Sequence, residues 1–284
     1  MLKKIRTLLA KLPLPLLGDT KPVVAILPLE GVIGTSGKFS EALNLAGVEK
    51  RIEAAFDVFG VKAVALAINS PGGSPVQSEL IMRRIRKLSE EKEIPVYAFA
   101  EDVAASGGYM LSLAADEIYA SAASIIGSIG VISAGFGFDK AIEKVGVDRR
   151  VYTAGENKSI LDPFQPEKEE DVKFLKEIQK DIHGFFKDMV KERRGDKLKG
   201  TQKVMFSGKF WTGTEAEKMG LIDGVGDLQS VMKEKFGEKT KFNRIEGEKS
   251  FIKSLLGLGG RKRAISREIM AVLDERAHWG RFGL

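Results

Sequence analysis

Short apolar runs alternate with amphipathic stretches between Pro22 and Tyr152. The runs VVAILPLEG, VKAVALAINS and IPVYAFA are rich in aliphatic residues and are typical of strands buried on both faces. Between the second and third runs, Gln77 to Lys92 repeats apolar residues at helical spacing. A further short strand is predicted at Arg150 to Tyr152. Strands that alternate with helices over this length predict an α/β fold with a mainly parallel sheet and flanking helices.

The pattern changes after Pro166, where apolar residues at helical spacing predict a long charged helix from Glu167 to Lys191. This helix carries Phe174, Phe185 and Phe186, which is more bulky apolar surface than one inward-facing stripe requires. We expect these phenylalanines to contribute to a contact between copies of the chain. The alternative is that they pack on the sheet of their own chain.

The first residues repeat Leu2, Ile5, Leu9 and Leu12 on one face of a short basic helix, which Pro13 would end. At about 1.5 Å per residue this helix is too short to cross a hydrocarbon layer of roughly 30 Å. The pattern predicts a weak anchor lying in the membrane interface. A secretory signal is disfavoured, because a lysine interrupts the apolar stretch and no small-residue cleavage site follows. A disordered arm with chance periodicity is the other alternative.

Composition and charge narrow the class of protein. The chain has 284 residues, of which 43% are hydrophobic and 30% charged, enough for one large core or two modest ones. It has no cysteine, which excludes disulfides, thiol nucleophiles and cysteine metal sites. The net charge of +6 divides into +4 for residues 1–22, +6 for residues 239–284 and −4 for the remainder. An acidic middle with basic ends argues against nucleic acid as a partner and favours an anionic membrane surface.

The main candidate for chemistry is Ser106, in the sequence DVAASGGY. It follows the predicted strand IPVYAFA and precedes a segment of good helix formers. A hydroxyl at such a strand-to-helix turn lies near free N–H groups, which favour an attacking alkoxide and the oxyanion that it produces. The alternative is that the residues around Ser106 are small only so that helix and strand can pack closely.

A second glycine-rich loop, INSPGGSP, also links a predicted strand to a predicted helix. Its Gly72 and Gly73 could direct main-chain N–H groups at one oxygen atom, which is the geometry of an oxyanion hole.

A serine nucleophile needs a general base. The chain has two histidines, but His183 falls inside the charged helical pattern and His278 lies close to the C-terminus, so a Ser-His-Asp triad is disfavoured. The remaining candidates are lysines and carboxylates. Among the lysines, Lys158 stands out, because it follows GEN and precedes SILDPF in a polar loop. As a base it would need burial that lowers its pKa by about three units, roughly 4 kcal/mol.

Five motifs occur in one order along the chain: SPGGS, DVAASGGY, GSIGV, GENKS and SGKFWTGTEAEKMGLID. In this combination the chain resembles the signal peptide peptidase A family of serine-lysine proteases, in its short single-domain form. That family is related to the Clp protease proteolytic subunit and to the crotonase superfamily, which implies a Clp protease/crotonase-like fold. The resemblance covers about residues 22 to 238.

The resemblance implies roles for individual residues. Ser106 is implied as nucleophile, and Lys158, 52 residues further on, as general base. Gly73, together with Gly72 or Gly107, is implied to supply oxyanion N–H groups. Ser128 of GSIGV is implied to hold the lysine. No metal or other cofactor is implied.

The resemblance also implies partners and a location. The expected substrates are hydrophobic peptides such as remnant signal peptides. A homo-oligomeric ring is expected, because a single α/β domain is too open to enclose its own site. We expect peripheral or weak attachment to the bacterial inner membrane, with the cytoplasm as the alternative. Family members often carry a clear N-terminal membrane span, whereas this sequence has only the amphipathic arm.

These observations predict three regions and leave two other functions open. The regions are a basic amphipathic arm at residues 1–22, a serine-lysine peptidase domain at residues 23–238 and a basic C-terminal extension at residues 239–284. The first alternative function is a crotonase-like acyl-CoA enzyme, which would share the glycine oxyanion hole. The second is a catalytically inactive scaffold associated with the membrane.

Overall fold

The computed structural model describes residues 21–34, 43–246 and 279–283. The strands are β1 (Val23–Glu30), β2 (Val61–Ser70), β3 (Val96–Ala105), β4 (Glu117–Ala120), β5 (Ile125–Gly127), β6 (Phe210–Thr212), β7 (Gly224–Val225) and β8 (Lys241–Arg244). The helices are α1 (Leu45–Asp57), α2 (Pro75–Lys92), α3 (Gly107–Ser112), α4 (Asp139–Lys144), α5 (Glu169–Arg194), α6 (Gln202–Met205), α7 (Gly213–Lys218) and α8 (Leu228–Phe236). A short 3₁₀ turn, Gly195–Lys197, follows α5.

The described strands form one sheet in the order β6-β5-β3-β2-β1-β8, with β4 and β7 branching from β3. All of its pairings are parallel except the one between β5 and β6. The central strands β1 and β2 are buried almost throughout, which explains why their sequences are continuous apolar runs rather than alternating patterns. The predicted α/β fold with a mainly parallel sheet is confirmed.

The strand β3 changes its partner strand close to Ser106. Its first half pairs with β4, whereas Val103 to Ala105 pairs with β5. The pairing between β2 and β3 also shifts register between Ile68 and Ser70. At this shift the side chain of Asn69 accepts from the Val103 N–H and donates to Asp102. The end of β3, and the turn that follows, are therefore fixed by side-chain contacts as well as by the sheet.

The helix α2 shows how local sequence positions the glycine loop that precedes it. Ser74 caps its N-terminus by accepting from the Gln77 N–H, and Pro75 occupies the first helical turn, where no N–H is needed. Glu93 ends the helix in a left-handed conformation. Ile81 and Ile85 are fully buried against the sheet, so the start of α2 is held at the carboxyl end of β2.

Three predicted elements differ in the structure. Residues 150–152 form no strand, because no neighbouring strand pairs with their main chain in the described part of the molecule. The long helix begins and ends slightly later than predicted, at Glu169 and Arg194. The sheet also continues past residue 238, since β8 pairs in parallel with β1. Residues 1–20 of the predicted N-terminal arm and most of the C-terminal extension lie outside the described residues.

The segment of residues 131–168 is called the arm below; it is distinct from the predicted N-terminal arm and contributes no buried residue to the core. None of the described residues between 130 and 185 is buried. The arm is held by its own contacts: the rings of Phe138 and Phe164 stack with centroids 5.6 Å apart, and Arg149 lies over Phe164 and pairs with Asp162. Phe174 and Phe185 of α5 are exposed, whereas Phe186 is buried in the core. The first half of α5, like the arm, therefore contributes no buried residue to the core.

Candidate active site

Ser106 connects β3 directly to α3, at the turn that the sequence predicts. Its main chain has φ 53° and ψ −119°, a conformation that side chains with a Cβ rarely adopt. Its N–H donates to the Gly127 carbonyl over 2.8 Å, and its own carbonyl accepts from the Met110 N–H. The residues on either side, Ala105 and Gly107, are buried, whereas Ser106 remains partly exposed. The turn therefore presents a hydroxyl at the surface from a strained backbone.

The loop with Gly72 and Gly73 lies directly against this turn. An ideal Cβ on Gly72 would lie 2.8 Å from the Ser106 Cβ and 2.9 Å from the Gly107 nitrogen, so only glycine leaves room for the two loops to meet. The Gly72 N–H donates to the buried Ser70 hydroxyl over 3.2 Å. This hydrogen bond uses the Gly72 N–H inside its own loop, so Gly72 contributes space rather than an oxyanion donor.

Gly73 is held in a different way. The Ile33 N–H donates to the Gly72 carbonyl, and the Ser74 N–H donates to the Ile33 carbonyl. These two bonds belong to a parallel bridge between Ile33 and Gly73, in which the Gly73 N–H points away from Ile33. Among the described residues no acceptor is bound by this N–H or by that of Gly107.

The two free N–H groups lie close together, because an ideal Cβ on Gly107 would be 3.3 Å from the Gly73 nitrogen. Two unpaired main-chain donors beside a serine hydroxyl can stabilise an oxyanion that forms on an attacked carbonyl. Gly73 and Gly107 are therefore the pair that fits the predicted oxyanion hole.

A cavity of about 920 Å³ opens in front of Ser106. Gly73, Gly107 and Ser128 also line it, so the structure brings four of the predicted site residues to one surface. Much of the remaining wall is apolar, with contributions from Val32, Ile33, Met110, Ile132, Ile182 and Phe186.

Ser128 follows β5 in the left-handed region, with φ 52°, and is almost fully buried. Its N–H donates to the Lys209 carbonyl over 2.8 Å, and its carbonyl accepts from the Gly130 N–H. The motifs GSIGV and SGKFW, separate in sequence, meet here because β5 pairs with β6.

Lys158 is not among the residues that line this cavity. It lies exposed on the arm, in a series of turns where its N–H donates to the Gly155 carbonyl. Within one described chain, therefore, the predicted base is not brought to the predicted nucleophile.

The cavity contains two ionisable side chains that sequence reasoning did not assign to it, His183 and Arg281. His183 lies on α5, and its Nε2 is 3.1 Å from the Ile129 carbonyl oxygen. One signal was available in the sequence: His183 lies three residues before Phe186 and therefore on the same face of α5. Phe186 is buried in the core. The apolar spacing of this helix predicts which side faces the core, but it does not show that this side lies against the nucleophile.

A buried network supports α3 from behind. The Tyr109 side chain is fully buried, and its hydroxyl donates to the Leu221 carbonyl over 2.7 Å. Burial raises the pKa of this hydroxyl well above its ordinary value. Nearby, Arg194 donates to the Asp223 carboxylate over 2.7 Å and to the Gly220 carbonyl over 2.9 Å. The helix that follows Ser106 is thus anchored to the chain around β7.

The Asp223 carboxylate is the centre of this network, since it also accepts from Lys197 and from the Ile118 N–H. Burial alone would raise its pKa. The hydrogen bonds from Arg194, Lys197 and Ile118 outweigh burial, so the pKa of Asp223 lies below its ordinary value.

The described residues contain no group of three or more His, Asp or Glu side chains that could hold a metal ion. None of their helices combines the length and the apolar composition that a membrane span requires.

Comparison with known proteins places this geometry in a family. The model for peptidase family S49 matches residues 89–240, which include Ser106, Ser128 and Lys158. The chloroplastic serine protease SPPA of Arabidopsis thaliana is 32% identical over 75% of this chain and 32% of its own length. A Brucella abortus protein named Na(+)/H(+) antiporter NhaA is 48% identical over 92% of this chain. The chain spans 37% of the length of that Brucella protein, so it matches one part of a longer relative.

A solved structure of the membrane-bound stomatin-specific protease 1510-N with a substrate peptide has the same fold. It aligns with a TM-score of 0.50 over 84% of this chain and 97% of its own, at 17% identity. The predicted Clp protease-like α/β fold is confirmed by this likeness. With the family model covering more than half of the sequence and all of the Ser106 turn, the chain belongs to peptidase family S49.

Proposed function

We propose that the chain is a serine endopeptidase in which Ser106 and Lys158 form a catalytic dyad. The observation that carries the proposal is the arrangement of a strained, partly exposed serine beside two unpaired main-chain N–H groups, those of Gly73 and Gly107. Membership of a peptidase family makes a peptide carbonyl the natural electrophile for this arrangement.

The chemistry follows from the positions of the groups. The Ser106 Oγ attacks the peptide carbonyl carbon, and the carbonyl oxygen becomes an oxyanion that accepts from the Gly73 and Gly107 N–H groups. The neutral Lys158 Nζ takes the serine proton and returns it to the departing amine. Water then attacks the acyl-enzyme, with the lysine again accepting a proton, and releases the acid product.

The lysine belongs to an adjacent protomer in this proposal. Lys158 lies on the arm, away from the cavity that Ser106 lines in the same chain. The arm also exposes large apolar side chains, with Phe136 81% and Tyr152 91% accessible. An exposed apolar surface of this kind favours association, and a second copy of the chain would cover it while bringing a lysine to the neighbouring serine.

Entry into that interface would also activate the lysine. A solvated lysine is protonated at neutral pH, whereas removal from water beside apolar walls favours the neutral form. The cavity supplies such walls through Ile33, Met110 and Phe186. The pH dependence of activity should therefore rise through a lysine pKa that has been lowered by assembly.

The same walls favour small and aliphatic substrate side chains next to the scissile bond. Hydrophobic peptides, such as remnant signal peptides, are the proposed substrates. The SPPA name of the Arabidopsis relative is in keeping with this class. A membrane setting is proposed on two grounds: the basic ends of the sequence and the transporter name of the longer Brucella relative.

The decisive experiment is a peptide-hydrolysis assay on the full chain and on Ser106→Ala and Lys158→Ala. We expect each substitution to reduce kcat by a factor of about 10³ or more, since the nucleophile or its base is lost. Circular dichroism and thermal unfolding serve to show that both variants are folded. Full activity of either folded variant would contradict the dyad.

The same preparations test the two alternatives. An acyl-CoA enzyme would bind a CoA thioester and turn it over without cleaving peptides. An inactive scaffold would leave Ser106 unlabelled by a serine-directed phosphonate. Labelling of the wild-type protein and not of Ser106→Ala is the result that the peptidase proposal requires.

A further inference from the structure

His183 fixes one carbonyl of the cavity wall. Its Nε2 lies 3.1 Å from the oxygen of Ile129, a residue with no exposed surface. A carbonyl oxygen can only accept, so Nε2 carries the hydrogen and donates it. Because a buried carbonyl without a partner costs roughly a lost hydrogen bond, this contact stabilises the position of the Ile129 main chain.

The residue before Ile129 is Ser128, whose backbone is strained. A non-glycine residue at φ 52° persists only where its surroundings hold it there. From the side of β6, the Lys209 carbonyl accepts from the Ser128 N–H. The neighbouring glycines pack closely against the chain around β6. An ideal Cβ on Gly127 would lie 2.7 Å from the Trp211 ring. An ideal Cβ on Gly130 would lie 2.9 Å from the Gly208 Cα. His183, on α5, supplies a further contact, through the Ile129 carbonyl.

We propose that His183 is a positioning residue for the reaction. Its Nε2–H holds the Ile129 carbonyl, and through it keeps Ser128 facing the cavity in which Ser128 orients the base lysine. The inference rests on the proposed serine-lysine mechanism. It assigns a function to the one histidine that lies in the described part of the chain.

His183 is not itself the general base in this assignment. The nitrogen that donates to Ile129 has no lone pair, and the lone pair on Nδ1 accepts no hydrogen bond from Ser106 among the described residues. His183 and Arg281 are the ionisable side chains that line the cavity within the described residues, and neither is a carboxylate that could orient the imidazole as in a triad. A positioning role and a base role predict opposite behaviour for glutamine at this site.

Glutamine can replace the donor but not the base, because its terminal amide nitrogen reaches about as far as Nε2 and has no basic lone pair. Leucine of similar size removes the donor. The test compares the full-length wild type, His183→Gln and His183→Leu on one hydrophobic peptide, with kcat, KM and the pH profile measured for each.

We expect His183→Leu to lower kcat about tenfold with little change in KM, because Ser128 and the lysine are misplaced while the substrate walls remain. The ascending limb of its pH profile should move to higher pH, as the lysine returns towards an ordinary pKa. His183→Gln should retain most of the wild-type kcat and the wild-type profile. Should His183→Leu fail to fold, His183→Asn, whose amide is too short to reach the carbonyl, takes its place with the same expectations.

A double-variant cycle identifies the route of the effect. If His183 acts through Ser128, then His183→Leu should cause little further loss in a Ser128→Ala background. Fully additive losses, an unshifted pH profile in His183→Leu, or a His183→Gln variant as inactive as His183→Leu would each overturn the inference. Ser106→Ala, measured in parallel, separates these outcomes from failure of the peptidase proposal. Residual activity in folded Ser106→Ala contradicts the nucleophile. An inactive Ser106→Ala together with unchanged kinetics in His183→Leu contradicts only the role of His183.

Discussion

The main-chain N–H of Ser106 donates to the Gly127 carbonyl over 2.8 Å, which ties the nucleophile to β5 at the point where β3 ends. This bond holds Ser106 at φ 53° and ψ −119°. Glycine adopts this conformation readily, whereas residues with a Cβ are strained in it. The protein therefore accepts a less stable backbone at the residue that carries the proposed chemistry.

Removing the strain should stabilise the fold. Ser106→Gly and Ser106→Ala both lack the hydroxyl and should both be inactive, but only the first removes the Cβ. We expect Ser106→Gly to have a free energy of unfolding about 1 kcal/mol higher than Ser106→Ala, after the entropic cost of glycine is subtracted. Denaturant unfolding of the two variants measures the difference. An alanine variant as stable as the glycine variant would show that the turn is not strained.

The contact between Gly107 and Ser78 predicts a separation of stability from activity. An ideal Cβ on Gly107 would lie 2.5 Å from the Ser78 Oγ. Gly107→Ala should therefore lower the free energy of unfolding by about 1 to 3 kcal/mol through overpacking. Adding Ser78→Ala removes the clashing oxygen and should restore part of this loss.

Activity should not return with stability in this pair. The new methyl group would still lie 3.3 Å from the Gly73 nitrogen, where it crowds the proposed oxyanion position. Peptide hydrolysis by Gly107→Ala/Ser78→Ala should stay close to that of Gly107→Ala, and Ser78→Ala alone serves as the control. Recovery of activity in the double variant would place the oxyanion elsewhere.

The Asp223 network predicts a stability difference that depends on pH. In Asp223→Asn the almost fully buried Arg194 loses its counter-charge, and we expect the free energy of unfolding at pH 7 to fall by about 2 to 3 kcal/mol. The pKa of Asp223 in the folded protein lies below its ordinary value of about 3.9. Its stabilisation is therefore complete above about pH 4 and is lost as the pH falls through the folded-state pKa.

The difference between wild type and Asp223→Asn should accordingly be constant between about pH 5 and 7 and narrow below about pH 4. Urea unfolding across this range provides the measurement. Lys197→Met, which removes the more exposed partner of the same carboxylate, should cost less. If the difference in free energy of unfolding between wild type and Asp223→Asn stayed constant below about pH 4, the Asp223 carboxylate would not be stabilised by Arg194 and Lys197.

Much of the fold could be predicted because its core strands are continuous apolar runs with helices between them. The Ser106 turn and the Gly72–Gly73 loop could be found because each places small residues directly after a buried strand, where a substrate or another main chain can approach closely. The predicted strand at residues 150–152 was wrong, since a short segment with β-branched and aromatic residues says nothing about whether a pairing partner is near. The position of His183 could not be read from the sequence, because it depends on where α5 crosses the sheet.

The apolar surface of the arm should be required for assembly. Phe136→Ser and Tyr152→Ser remove exposed rings and should cost the single chain little stability, but they should weaken self-association by removing apolar area from the interface. Phe59 provides a matched control, since it is 69% exposed but lies in the turn before β2, at the opposite end of the strands from Ser106. Sedimentation velocity should show smaller species for the arm variants and an unchanged distribution for Phe59→Ser. If all three variants gave the same sedimentation distribution, the apolar surface of the arm would have no specific role in assembly.

Complementation between two inactive variants tests the shared site directly. When Ser106→Ala and Lys158→Ala chains are co-expressed, a site at the interface is complete wherever a chain with an intact serine meets a neighbour with an intact lysine. For random mixing in equal amounts around a head-to-tail ring, about a quarter of the sites should be complete and the activity should approach that fraction of wild type. The control replaces the Lys158→Ala chain by Ser106→Ala/Lys158→Ala, which offers no intact serine and should give no activity. A mixture as inactive as this control, at a concentration where sedimentation shows mixed assemblies, would mean that Ser106 and Lys158 must come from the same chain and that the arm has to fold back onto its own cavity.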